Sequence, residues 1–81
     1  MKMAGMVKLT TKQKKEIGWR IKEIREFNLE MTQTQFAKEL GTTQATISRI
    51  EKGRALPTIE LLIGIKQLSG KTIDRILKNH H

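Results

Sequence analysis

The stretch QTQFAKELGTTQATISRIEK, Gln33 to Lys52, decides how the rest of this chain is read. It divides at Gly41 into two short helix-forming segments. Thr32 offers a hydroxyl to an orphan backbone N–H at the start of the first segment. Gln35, three residues on, can reach back to the cap, giving a T-x-x-Q form of the capping box. Phe36, Ala37 and Leu40 follow at apolar spacing i, i+1 and i+4. Gly41 then supplies the residue type that takes the left-handed conformation of a helix C-cap. Thr42 and Thr43 start the second segment.

With about 100° per residue, Ile47 and Ile50 of the second segment place its inward direction on one side, and Gln44, Ala45, Ser48, Arg49 and Lys52 fall on the other. That outward set holds a planar amide, a methyl group, a hydroxyl and two cations. It makes a poor core. A solvated face and a reading surface both have this composition, and the residues of the segment alone leave the two open.

Spacing adds the next constraint. A small residue in the first helix (Ala37), a glycine at the bend (Gly41) and branched apolar residues in the second helix (Ile47, Ile50) are what a helix-turn-helix requires. The run TQTQFAKELGTTQATISRIEKG, followed by PTIELL and SGKTIDRIL and preceded by RIKEIRE, resembles the phage repressor and Cro family, the XRE family of helix-turn-helix proteins. The resemblance covers nearly all of the chain after its N-terminal arm. No single residue in it is diagnostic; the joint order and spacing are.

The resemblance implies an all-α, five-helix, repressor-like DNA-binding domain whose helices 2 and 3 form the helix-turn-helix. It also implies a sequence-specific regulator of transcription, a repressor in type, that reads double-stranded DNA with helix 3. A cytoplasmic location is expected separately, since MKMAGMVK lacks a signal peptide's apolar core and no run is long enough to span a membrane. Gln44, Ala45 and Arg49 are the expected base contacts. Gln matches the N6 and N7 of adenine, Arg matches the O6 and N7 of guanine, and Ala meets a thymine methyl. Thr32, Gln33, Thr43, Ser48, Lys52 and Arg54 are the expected phosphate contacts, by chemistry and by resemblance. A structural ion pair between Arg25 of the first helix and Glu51 of the reading helix is likewise implied.

Outward from the motif, a helix is expected from Thr11, as N-cap, to Phe27, with Ile17, Ile21 and Ile24 as its inward stripe. Trp19 lies opposite that stripe, where burial against the arm or a second subunit is favoured over base stacking. The connection Asn28–Met31 is one residue longer than the common family spacing, which leaves the register of the first helix open. After Gly53, a loop through Arg54 leads to a helix from Thr58 to Leu68, whose free N-terminal amides could attract phosphate. That helix is apolar nearly all round and is expected to be buried on several sides, by its own domain or by a partner. Lys66 and Ser69 depart from the family pattern. Gly70 ends it, Thr72 caps a last helix, and Ile73, Ile76 and Leu77 either close the core or pair two copies of the chain.

Charge supports a polyanionic partner. Sixteen Lys and Arg against eight Asp and Glu give a formal +8. Lys2, Lys8, Lys12, Lys14 and Lys15 all precede the first acidic residue, Glu16. The expected division is a basic N-terminal arm over residues 1–10, with Lys8 and Lys12 as its DNA-following lysines, a DNA-binding domain over 11–78 and a tail over 79–81. A solvated tail explains the same lysines. The absence of cysteine excludes a disulfide framework and a cysteine-based zinc site. No apolar run has membrane-spanning length. With no cysteine or tyrosine, histidines only at the end, and neither paired carboxylates nor a Gly-rich phosphate loop, an enzyme, a cofactor and a metal are not expected. An antitoxin binding a toxin protein, and a protein-interaction module using the same fold on an acidic partner, are the alternatives.

Overall fold

The computed structural model describes residues 9–77. Among them the chain is all helical: α1 spans Thr11–Glu23, α2 Gln33–Leu40, α3 Gln44–Glu51, α4 Ile59–Ser69 and α5 Ile73–Leu77. The arm residues through Lys8, and the tail 79–81 together with residue 78, lie outside the described residues.

Each helix start is written locally as a threonine. Thr10 caps α1, and its hydroxyl accepts the Gln13 N–H at 3.0 Å while the Gln13 side chain accepts the Thr10 N–H at 2.9 Å. The expected cap at Thr11 is therefore one residue late. The reason is visible in the residues: Thr10 has Gln13 three positions on, whereas Thr11 has Lys14, which cannot accept. Thr32 and Gln35 repeat the same reciprocal pair at α2, and Thr43, Thr58 and Thr72 cap the other three helices.

The first helix does not run to Phe27 as a regular α-helix. From Ile24 to Asn28 it widens to a π turn, with Leu29 N–H bonded to Ile24 O at 3.0 Å. A π turn accommodates an additional residue inside a helix. The extra residue of the connection is thus taken up by the last helical turn instead of by a longer loop, and Ile17, Ile21 and Ile24 keep their inward register, all buried. Glu30 then turns the chain with φ 53°, and Met31 N–H returns to Arg25 O at 3.0 Å.

The core is one cluster. The α1 isoleucines meet Phe36 and Ala37 of α2, Ile47 and Ile50 of α3, Leu61, Leu62 and Ile65 of α4, and Ile76 of α5. Gly18 lets the backbones of α1 and α3 touch: a Cβ there would overlap Ile50 O and stand 2.8 Å from Glu51 O. Two residues on, and on the opposite side of α1, Arg20 Nε donates to Ile76 O at 2.9 Å, tying α1 to α5 across 56 residues of sequence.

Of the two ways α4 could be buried on several sides, its own domain does not provide it. Leu61, Leu62 and Ile65 face inward, but Ile59 is 69% exposed and Ile63 42% exposed. No second layer of described residues reaches that side. Lys66 is exposed, and the Ser69 hydroxyl donates to Ile65 O and accepts Lys71 N–H, so the two departures from the family pattern sit at the solvent and at a helix terminus. In α5, Ile76 is fully buried and Ile73 half-buried, while Leu77 is exposed.

Candidate nucleic-acid interface

The reading helix is placed by what lies behind it. Ile47 and Ile50 are buried, the Gly18 contact fixes its C-terminal end, and Gly41, with φ 71°, supplies the left-handed residue that turns α2 into the approach to α3. Held in this way, α3 leaves Gln44, Ala45, Arg49 and Lys52 exposed and Ser48 half-buried.

Behind α3 is a buried ion pair. Arg25 Nε lies 2.7 Å from Glu51 Oε2 and Arg25 Nη2 3.0 Å from Oε1, a two-pronged pairing of side chains that are 7% and 3% exposed. Arg25 Nη1 also donates to Met31 O at 2.8 Å, and Glu26 adds a longer contact of 3.4 Å to Nη2. The hydrogen bonds to Glu51 hold the Arg25 guanidinium above its ordinary pKa, against the opposing effect of burial. One arginine thereby joins α1, α3 and the residue just before the α2 cap.

The pair is wired to the exposed face. Gln33 Nε2 donates to Glu51 Oε1 at 2.9 Å, and Gln44 Nε2 donates to Gln33 Oε1 at 2.6 Å. The result is a chain of hydrogen bonds from Arg25 through Glu51 and Gln33 to Gln44. Gln33 therefore has a role that spacing alone did not show: both ends of its amide are engaged within the protein, and it orients Gln44. With one Nε2 hydrogen given to Gln33, the Gln44 amide keeps its oxygen and its second N–H without a partner among the described residues.

The other residues singled out from sequence surround this line. Thr32 and Thr43 are exposed, but their hydroxyls already serve as caps, and Thr43 Oγ1 also donates to Thr46 Oγ1 at 2.9 Å. Lys52 is the C-cap of α3, and Arg54 follows Gly53, exposed. Lys12 stands in the first turn of α1 and not in the arm, because the Thr10 cap begins the helix ahead of it. Lys15 packs against Gly53, where a Cβ would lie 2.6 Å from Lys15 Cγ, so this part of α1 borders the Lys52–Arg54 loop. Lys8 lies outside the described residues.

Helix ends add to the electrostatics. The first turns of α2 and α3 contain no carboxylate, whereas α4 has Glu60 and α5 has Asp74 in theirs. The positive ends of the α2 and α3 dipoles are uncompensated and suit phosphate. The α4 N-terminus, with Glu60 on it, suits phosphate less well.

Two residues that hold the helices together escaped the sequence reading. Gly18 had a signal, since a glycine inside a helical pattern points to a packing requirement. Arg20 had none, because its partner is a backbone carbonyl near the far end of the chain. Trp19 is 59% exposed and lines an open groove with Thr11, Lys12, Lys15, Glu16 and Arg20, so no described residue buries it.

Two capped helices joined through a left-handed glycine, the second carrying an outward polar face braced from behind, define a helix-turn-helix of the nucleic-acid-binding type. The comparison with protein families agrees: the family described as helix-turn-helix matches residues 21–76. The chain belongs to this family, in its XRE, Cro/C1-type branch. It is thus a DNA-binding regulator, and the family is not typically enzymatic. No curated protein and no solved structure matches the chain significantly. Among the described residues, no helix is long and apolar enough to cross a membrane, and no group of three or more metal-ligating side chains is gathered.

Proposed function

We propose that the protein is a cytoplasmic, sequence-specific transcriptional repressor that reads the major groove of double-stranded DNA with α3. The observation that carries this reading is the braced Gln44, held through Gln33 to the buried Glu51 and flanked by exposed Ala45 and Arg49. A solvated face has no need of such bracing; a side chain that must present one hydrogen-bonding edge to a base does. Gln44, Ala45 and Arg49 take the base edges. Thr32, Thr43, Ser48, Lys52 and Arg54 take phosphates, aided by the uncompensated α2 and α3 N-termini. Gln33 contributes chiefly by orienting Gln44. Lys8 of the arm and Lys12 in the first turn of α1 add affinity for the DNA backbone to a domain that spans residues 11–78 between the arm and the tail.

The test is selection from a randomised duplex pool, with bound and unbound DNA compared across a salt series. Enrichment of a short motif that persists near physiological salt is the expected result. Two related half-sites roughly 34–36 Å apart would add that two copies bind together. Equal binding of every duplex, lost as salt rises, would reduce the interaction to net charge.

A second reading draws on Leu56, Ile59 and Ile63, which are exposed at and along α4. An apolar strip at this position favours a protein partner, a second copy or a toxin held by an antitoxin. Co-purification of a small second protein with the native chain distinguishes the toxin from the homodimer.

A further inference from the structure

A cavity of about 300 Å³ opens between the last turns of the first helix and α5, bounded by Arg20, Glu23, Ile24, Phe27, Lys71 and Arg75. Around α1, Arg20 and Glu23 lie roughly 140–200° from Gly18, the residue that touches α3. The cavity is therefore on a different side of α1 from the reading helix. Three cations face it against one carboxylate. None of Arg20, Lys71, Arg75 and Glu23 forms an ion pair among the described residues. Arg20 is anchored through Nε to Ile76 O, but its Nη2 is buried without an acceptor. The three positive charges around the cavity, unpaired among the described residues, favour an anion there. The remaining wall is mixed: Ile24 is buried, Asn28 is polar and exposed, and the Phe27 ring, 74% exposed, is open to be covered.

We propose that this cavity binds a small organic anion, a carboxylate carried on a flat apolar body. The carboxylate is held by the Arg75 guanidinium, with Lys71 and the anchored Arg20 charge beside it, and the body lies over Phe27 and Ile24. The volume is at the lower end of small-molecule sites, which suits a single-ring ligand. Fork-shaped guanidinium groups favour a planar carboxylate, and Glu23 limits the anionic charge the site accepts. The site is independent of the DNA-reading assignment and adds a ligand to the domain itself.

The experiment is a titration of the full chain with sodium benzoate at constant ionic strength, followed by NMR at the Arg20 and Arg75 Nε–Hε groups and the Phe27 ring. Benzamide is the neutral comparator. Saturable shifts at these three residues with benzoate and not with benzamide are expected. Arg75→Gln, at an exposed position that leaves the Arg20–Ile76 tie in place, should weaken binding by roughly tenfold or more, the order for loss of a charge-assisted hydrogen bond. The proposal is overturned by a benzoate response that stays unsaturated at roughly 10 mM, well beyond a millimolar affinity. An equal response to benzamide, or unaltered affinity in Arg75→Gln, overturns it too. Shifts at these residues that follow protein concentration without ligand also overturn it, and assign the cavity to contact between copies.

Discussion

Gly18→Ala is the sharpest probe of how the reading helix is held. The new methyl would overlap Ile50 O, lie 2.8 Å from Glu51 O and lie 3.0 Å from Glu51 C, whereas ordinary contact begins at 3.4 Å. All three neighbours are backbone atoms of the α3 terminus, so no rotamer change can accommodate it. The helices must part by about an ångström to bring the Ile50 O overlap out to ordinary contact, and Glu51 moves with them away from Arg25. Overpacking of this kind costs about 1–3 kcal/mol, and contact with rigid backbone places it near the upper end. Alanine in a helix interior returns about 1 kcal/mol relative to glycine. The net is a loss of about 2 kcal/mol, or roughly 8–16 °C in Tm for a domain of this size. Thermal melting by circular dichroism measures it, with Gly64→Ala as the control. A Cβ at Gly64 meets only Leu40 Cδ2, at 2.7 Å, the movable end of a side chain. The control should therefore change stability by less than about 1 kcal/mol. If Gly18→Ala melted at or above the parent, the helix-propensity gain would be unopposed. The close approach of α1 and α3, and the bracing built on it, would then be refuted.

Other outcomes follow from the polar line behind α3. Glu51→Ala strands the buried Arg25 charge and should destabilise by about 3–5 kcal/mol, while the double variant Arg25→Met with Glu51→Leu should lose far less, as read by denaturant unfolding. Gln33→Ala should leave the fold intact yet blur the base preference at the pair read by Gln44. Gln44→Ala should remove that preference at about 1–3 kcal/mol, whereas Arg54→Ala should weaken all duplexes alike and flatten the salt slope; competition binding on base-pair variants separates the three. Because the Arg25 pKa is raised on folding, its contribution is fully present below the ordinary arginine value and lost only as pH rises through the raised one. The stability difference between the parent and Arg25→Met should thus be flat from about pH 7 to 10.

What could be read from sequence is what is encoded within a few residues. The Thr32–Gln35 box, the Gly41 bend and the alternation of Ile47 and Ile50 with polar neighbours carry their own start, stop and direction, and the motif appears where they place it. The Thr10 cap obeyed the same T-x-x-Q rule and was equally available. The π turn was not, because one surplus residue between Ile24 and Thr32 can be housed in helix or in loop at similar local preference. The inward side of α4 was hidden for the opposite reason: apolar residues all round leave no periodic contrast. Gly18, Arg20 and the bracing of Gln44 by Gln33 depend on partners distant in sequence, and only the packed chain brings those partners together.

The bond from Arg20 to the Ile76 carbonyl bears on the order in which the molecule assembles. Each of α2 and α3 is started by its own threonine, and the two are joined through a turn of three residues, Gly41 to Thr43, so little chain entropy opposes their meeting. The Arg20 tie closes a loop of 56 residues, whose closure entropy must be met before the contact rewards it. The wall of the anion cavity is completed only when the far end of the domain folds back.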